Sequence, residues 1–325
     1  MVEAIKTQEL PALFQNFTSI IGISRSERSL LAVARHKQSA KDYLIHYFRV
    51  QPNLFQNTVL HLQNCMKITH PNVQRIVDIF TDNNTSDICI LYDTVYPLLE
   101  RVKYHRVLSD KKVLTLLNQI LLGLLAQKEF LGTENNFLDE WNIFQCNGNF
   151  TIGASLPEQV AKLLVPLEES IDQIACQLSS SVSIKCHIQV NDDSVDVHDA
   201  YRLGALALEA IGQSQSFYDK LTVHNTNFQI QKEKYEYILE ETLRQCANAG
   251  YSQQSISIIK QLLSCSQGFS LEKLKSSLEN ITKARVPVAL IPFRTFTNGE
   301  ILNPDQFPEG HYGILALVQR SHAHF

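Results

Sequence analysis

Neither sign of charge accumulates in this chain. Its 325 residues hold 33 Asp and Glu against 29 Lys and Arg, a formal net charge of -4, with no long run of either sign. Nucleic acid is therefore not an expected partner, because phosphate binding needs a concentrated basic face. No apolar run reaches the roughly 18 residues that a membrane span requires. The opening MVEAIKTQEL lacks the apolar core of a secretory signal. The seven cysteines, Cys65, Cys89, Cys146, Cys176, Cys186, Cys246 and Cys265, are odd in number and contain no CxxC pair. They fit reduced, mostly buried thiols rather than a disulfide framework or a zinc site. His322 and His324 are only two metal-competent groups on a chain end, so no metal or other cofactor is expected. No repeat of about 20–50 residues is visible, which excludes a solenoid. These absences predict a soluble, cytoplasmic protein whose partners are other proteins.

What is present is enough to fold. Hydrophobic residues make up 44% of the chain and charged residues 19%, which excludes a mostly disordered protein. The runs FTSIIGIS, RSLLAVARHK and KDYLIHYFRV are β-branched and aromatic with short polar turns between them, so Phe17 to Val50 reads as an antiparallel meander. From Asn57 to Ile68 the apolar positions Val59, Leu60, Leu62, Met66 and Ile68 fit a short helix, which Pro71 closes. VQRIVDIF and DICILYDTV supply two further strands around a polar TDNNTS turn.

After Pro97 the pattern turns helical. Ser109 and Asp110 offer an N-cap to KKVLTLLNQILLGLLAQKEF, which is apolar on nearly every side, as a helix buried in a core is. The run from Pro157 to Asp196 carries several serines and acidic residues, and NDDSVDVHD reads as a solvated loop. HDAYRLGALALEAIG, KEKYEYILEETLRQCANAG and SQQSISIIKQLLSC follow as helices, with Gly250 closing the second. Strands in front and helices behind predict a two-lobed α+β fold, with lobes at 1–97 and 98–283. The remaining segment, 284–325, has prolines at 287, 292, 304 and 308 that forbid a long helix. It reads as an extended tail, and Phe293, Phe296, Phe307 and Tyr312 on it are candidate partner-binding residues.

The order of these pieces resembles the protein kinases from about Phe14 to Leu278. THPNVQRIVDIF resembles the segment joining the αC helix to strand β4 of that family, and NQILLGLLAQK the buried helix before its catalytic loop. NIFQCNGNFTIG is similar to the end of that loop and the hairpin after it. HDAYRLGALALEAI is similar to the central helix of the larger lobe, with Asp199 at the position of its buried aspartate. The resemblance implies a small antiparallel sheet lobe with one helix, and a mostly helical second lobe.

Phosphate transfer in that family needs glycines over the phosphates, a lysine held by a glutamate, a catalytic aspartate, and an aspartate and asparagine on magnesium. Between the first two strands Gly22 is the only glycine. Setting YLIHYF on the strand that bears the lysine puts His46 at that position, and an imidazole is shorter and largely neutral near pH 7. His61, nine residues before His70, falls at the glutamate. His46 and His61 are thus set to face one another, as a metal pair or as ordinary core histidines. With Asn142 as the magnesium asparagine, Phe137 stands where the catalytic aspartate belongs, and a phenyl ring moves no proton. Asp139, two residues on, is the one displaced carboxylate. TIGASL then sets Ala154, Ser155 and Leu156 at the D-F-G positions, with Ala154 replacing the metal-holding aspartate. The A-P-E motif and the arginine that pairs with its glutamate are both missing, and losing both avoids leaving one buried charge alone, a penalty of ~3–5 kcal/mol.

The resemblance with these losses implies a catalytically inactive pseudokinase. YDTVYPL adds a similarity to the Scy1-like pseudokinases. The expected function is a scaffold or structural subunit of a larger protein assembly, with a cytoskeletal one as the named setting. The alternatives are an atypical protein kinase, with Asp139 as base and acidic residues of NDDSVDVHD collecting metal, and a regulator of an active kinase. Asn142 is the only retained position of the cofactor apparatus, and Asp199 is assigned a structural role.

Overall fold

The computed structural model describes residues 11–25, 28–93, 96–97, 107–132, 135, 138, 142–146, 148–157, 159–160, 163–167, 176–179, 195–223, 232–264 and 271–282. A short 3-10 turn, Ala12–Asn16, leads into strands β1 (Phe17–Arg25), β2 (Ser29–His36) and β3 (Asp42–Arg49). Helix α1 (Pro52–Cys65) follows, then β4 (Ile76–Asp82), β5 (Asp87–Asp93) and the two-residue β6 (Tyr96–Pro97). The chain continues through helix α2 (Asp110–Leu131), the hairpin β7 (Ile143–Cys146) and β8 (Asn149–Ile152), and β9 (Cys176–Ser179). Helices α3 (Val195–Ala210), α4 (Ser214–Val223), α5 (Lys232–Asn248), α6 (Gln253–Ser264) and α7 (Leu271–Thr282) complete the described residues.

The strands form a six-stranded sheet in the order β4-β5-β3-β2-β1-β9, and β6, β7 and β8 form a second, smaller sheet. Strand alternation sends Leu31, Val33, Leu44, Phe48, Ile90 and Tyr92 to one face, where Phe55, Leu62 and Cys65 of α1 cover them. Leu30, Ala32, Ala34, Ile45, Tyr47 and Leu91 point to the other face, which Leu13 and Phe14 of the opening turn close. Burial on both faces is why β2 and β5 read as unbroken apolar runs.

Two sequence expectations are corrected here. The helix set at Asn57 to Ile68 spans Pro52–Cys65, because the fixed φ of Pro52 suits the first turn and Phe55, Thr58, Leu62 and Cys65 fall on its buried face. The run Pro157 to Asp196, in which the sequence sets no strand, contains β9, which pairs in parallel with β1. CQLS has no period of its own, so its strand state comes from that edge and the sheet is not purely antiparallel.

In the helical lobe, α2 is buried along most of its length and α3, α5, α6 and α7 complete its core. Gly132 closes α2 with φ 67, a left-handed turn that favours glycine. The N-terminus of α2 is stapled to α6: Asp110 Oδ1 accepts from Ser252 N and Oγ and from Ser255 Oγ. Burial alone would raise the Asp110 carboxyl, and those bonds from Ser255 and Ser252 outweigh it, leaving it below its ordinary value.

The loop His70–Gln74 joins the layers. Asn72 O accepts from Ile152 N at 2.9 Å, Gln74 N donates to Ile152 O at 2.7 Å, and Asn72 Nδ2 donates to Phe150 O at 3.0 Å. Helix α2 closes on this loop at Gly123, where a Cβ would stand 2.5 Å from the Asn72 carbonyl oxygen. Only glycine permits that approach.

Candidate functional site

The candidate site is the space between the large sheet and the β7–β8 hairpin. It is packed with side chains: Ile23, Leu31 and Leu44 from the sheet, Tyr92 from β5, Phe144 from β7, and Ala154 and Leu156 beyond β8 belong to one continuous core. Tyr92 and Phe144 are fully buried, with ring centroids 5.1 Å apart. The Ala154 N–H donates to the Tyr92 hydroxyl at 3.0 Å, so β5 is bonded directly to the segment leaving β8.

His46 lies 1% exposed on β3, its ring edge-on to Phe48 with centroids 5.6 Å apart. Burial in this apolar setting holds its pKa at about 4, so the ring is neutral at physiological pH. His61, on α1, places Nε2 2.9 Å from Ser155 Oγ. Burial lowers its pKa, and a hydrogen bond with the Ser155 backbone opposes that shift. Cys65, one turn further along α1, lies 3.6 Å from the same hydroxyl, and its thiol is raised by burial. Helix α1 is thereby tied to the segment after β8 through His61 and Cys65, whereas the resemblance sets an ion pair between the positions of His61 and His46 of β3.

Asn142 is fully buried and its Nδ2 donates to Ala154 O at 2.7 Å, while Gly153 N donates to Asn142 O at 2.8 Å. A Cβ on Gly153 would lie 2.0 Å from Asn142 Oδ1, so the amide fills the room that the missing side chain leaves. From there a buried polar chain runs into the helical lobe. Gln127 Nε2 donates to Gly153 O at 2.7 Å, Asn135 Nδ2 donates to Gln127 Oε1 at 2.6 Å, and Asn135 N donates to Asp199 Oδ2 at 3.3 Å. Each bond contributes about 1 kcal/mol net, and each buried group left without its partner costs ~1–3 kcal/mol.

The structure thus brings together Ala154, Asn142 and, through Gln127 and Asn135, Asp199. It sets His61 on Ser155. Phe137 and Asp139 lie outside the described residues, as do Phe293, Phe296, Phe307 and Tyr312. Among the described residues no group of three or more His, Cys, Asp or Glu side chains could hold a metal ion. No helix among them is long and apolar enough to cross a membrane. Tyr92, Phe144 and Gln127 were not singled out in the sequence. DICILYD reads as a strand whichever way its tyrosine points, and a glutamine inside an apolar helix is the one signal that could have marked Gln127.

No family model matches the sequence, and no curated protein sequence matches it. Many solved structures resemble it in three dimensions, two of them as follows. The Drosophila melanogaster PAN3 pseudokinase matches with a TM-score of 0.52 and 14% identity over 81% of this chain and 66% of that one. Rad53 1-466, in complex with AMP-PNP, matches with a TM-score of 0.55 and 13% identity over 84% of this chain and 66% of that one. The chain has a protein-kinase-like fold. It spans just under two thirds of either chain's length, and at these identities the likeness speaks for the fold alone. In kinase-like terms the five-strand antiparallel sheet with α1 corresponds to the smaller lobe and α2 to α7 to the larger. One neighbour is a pseudokinase and the other holds a nucleotide analogue, so chemistry has to be argued from the cleft's own side chains.

Proposed function

We propose that this protein is a pseudokinase, a kinase-like scaffold or structural subunit of a protein assembly that transfers no phosphate. The observation that carries the reading is the Tyr92 hydroxyl bonded to Ala154 N within a core that Phe144, Leu44 and Leu156 share. In a catalytic kinase the glycine-rich strands, the lysine strand and the catalytic-loop hairpin enclose nucleotide and magnesium between them. Here Leu44, Tyr92, Phe144 and Leu156 from the corresponding elements share one core, which supports the reading.

The charges support the same reading. A neutral, buried His46 offers no cation to phosphate, and an alanine at 154 offers magnesium no anionic ligand. Asn142 spends its amide on Ala154 O, which favours a structural part for it in the loop. Asp199, through Asn135, does the same for the other end of the polar chain.

A fold kept without its reaction is kept for contacts, and the tail with Phe293, Phe296, Phe307 and Tyr312 is the segment proposed to make them. Incubating the purified full chain with Mg·ATP and a generic acceptor protein tests the non-catalytic half: no transfer is expected. Transfer that Tyr92→Ala leaves intact, or that disappears with Asp139→Asn, would overturn it. For the tail, a chain lacking 284–325 is expected to retain its helical content and to lose assembly. Assembly unchanged by that deletion counts against the assignment.

A further inference from the structure

His70 sits where the connection from α1 to β4 meets the helical lobe. Ile68 and Val73, on either side of it, share one core with Leu271, Leu274 and Leu278 of α7 and with the leucines of α2. The same loop carries Asn72 and Gln74, whose bonds to Phe150 and Ile152 hold the β7–β8 hairpin. Lys275 of α7 stands close enough to act on the His70 ring. One histidine thus touches the loop that joins the layers and the last helix packed against it.

The half-buried ring is committed to one protonation state by its bonding. The Asn72 backbone N–H donates to His70 Nδ1 at 3.1 Å, so that nitrogen is an acceptor and carries no proton. A protonated ring has no lone pair to offer there. The charge that acts on the ring is the Lys275 ammonium, and no carboxylate among the described residues offsets it. On the neighbouring elements, Lys67 beyond the end of α1 donates to Asn64 Oδ1 at 2.9 Å, Arg75 past the loop is exposed, and Glu272 of α7 lies 4.0 Å from Lys128 of α2. Burial first and Lys275 second lower the pKa of His70 below its ordinary 6.5. The neutral, bonded form is therefore complete above pH 6.5, and acid below that value works against it.

We propose that His70 is an acid-sensitive latch holding α7 to the loop between α1 and β4. Protonation at Nδ1 breaks the bond from Asn72 N, sets a cation beside Lys275 and loosens α7. The tail of the proposed function begins two residues beyond Thr282, the end of α7, so assembly through it is expected to weaken in acid. For that consequence alone the inference rests on the partner-binding reading. The latch itself needs no partner, so the two succeed or fail separately.

Hydrogen exchange of the full chain at pH 7 and pH 5, expressed as protection factors, tests it. On acidification the α7 amides of wild type are expected to lose at least about three-fold more protection than the Leu203–Leu208 amides of α3, which report general loosening. His70→Asn keeps an acceptor for Asn72 N, as in an Asx-turn, and takes up no proton, so the extra loss at α7 should vanish. Lys275→Gln keeps Nδ1 and removes the repulsion, so the extra loss should fall to roughly half or less. An α7 that merely follows α3 in wild type overturns the latch, as does an extra loss that persists in His70→Asn. Where His70→Asn does not reproduce the circular dichroism of wild type, Lys275→Gln decides, and an extra loss equal to that of wild type overturns the proposal.

Discussion

Ala154 N and the Tyr92 hydroxyl stand 3.0 Å apart, joining the segment after β8 to strand β5. Both groups are buried, so the bond has no water to replace it. Tyr92→Phe keeps the ring packed on Phe144 and leaves the Ala154 N–H without this acceptor. The expected loss is ~1–3 kcal/mol, read as a lower midpoint in urea with an unchanged slope. An unchanged midpoint would mean that the bond contributes nothing to the closed cleft.

His46 gives the fold a dependence on acid. Its folded pKa, about 4, is depressed below the ordinary 6.5 by burial. Above pH 6.5 both folded and unfolded imidazoles are neutral, and the full stability is present. As pH falls through that value the unfolded chain takes a proton that the folded one refuses, so stability drops until about pH 4 and then levels. The total is about 3 kcal/mol. Lowered values at His61 and His70 act in the same direction, so the comparison is with His46→Gln. Urea unfolding at pH 7 and pH 5 should show a smaller pH effect in that variant than in wild type.

At the far end of β3, Arg49 grips Asp87 with two hydrogen bonds, Nε to Oδ1 at 2.6 Å and Nη2 to Oδ2 at 3.1 Å, and Thr85 Oγ1 donates to Oδ2 at 2.7 Å. The Asp87 side chain is 1% exposed. Removing either partner strands a buried charge, so Asp87→Ala should destabilise by ~3–5 kcal/mol, while Arg49→Met combined with Asp87→Leu should recover most of it. Thermal unfolding of the single and double variants checks this. A double variant no more stable than Asp87→Ala would contradict it.

Much of the fold was legible in the sequence, for reasons that differ by element. Helices α2 and α3 are apolar on most sides, so their period and burial are local signals. The meander β1 to β3 was legible from β-branched runs and short turns. The start of α1 was not, because the polar residues after Pro52 hide the face that Phe55 and Thr58 bury. Strand β9 was not legible because its state is set by the edge of β1, which lies far away in sequence. In the site, His46 and Ala154 could be named from the sequence, and both are buried. The contacts around them could not: Tyr92 meets Ala154 across 62 positions, and Ser155 meets His61 across 94. Such contacts depend on packing, which no local pattern encodes.

The central claim, that core side chains occupy the nucleotide cleft, is most directly tested by calorimetric titration of the full chain with ATP in the presence and absence of magnesium, paired with a thermal melt of the same samples. The account predicts no binding heat beyond dilution and no shift in melting temperature. A ligand that binds the folded state at about 100 times its dissociation constant stabilises it by about 2.7 kcal/mol. A magnesium-dependent binding isotherm with a stabilisation of that order would contradict the claim.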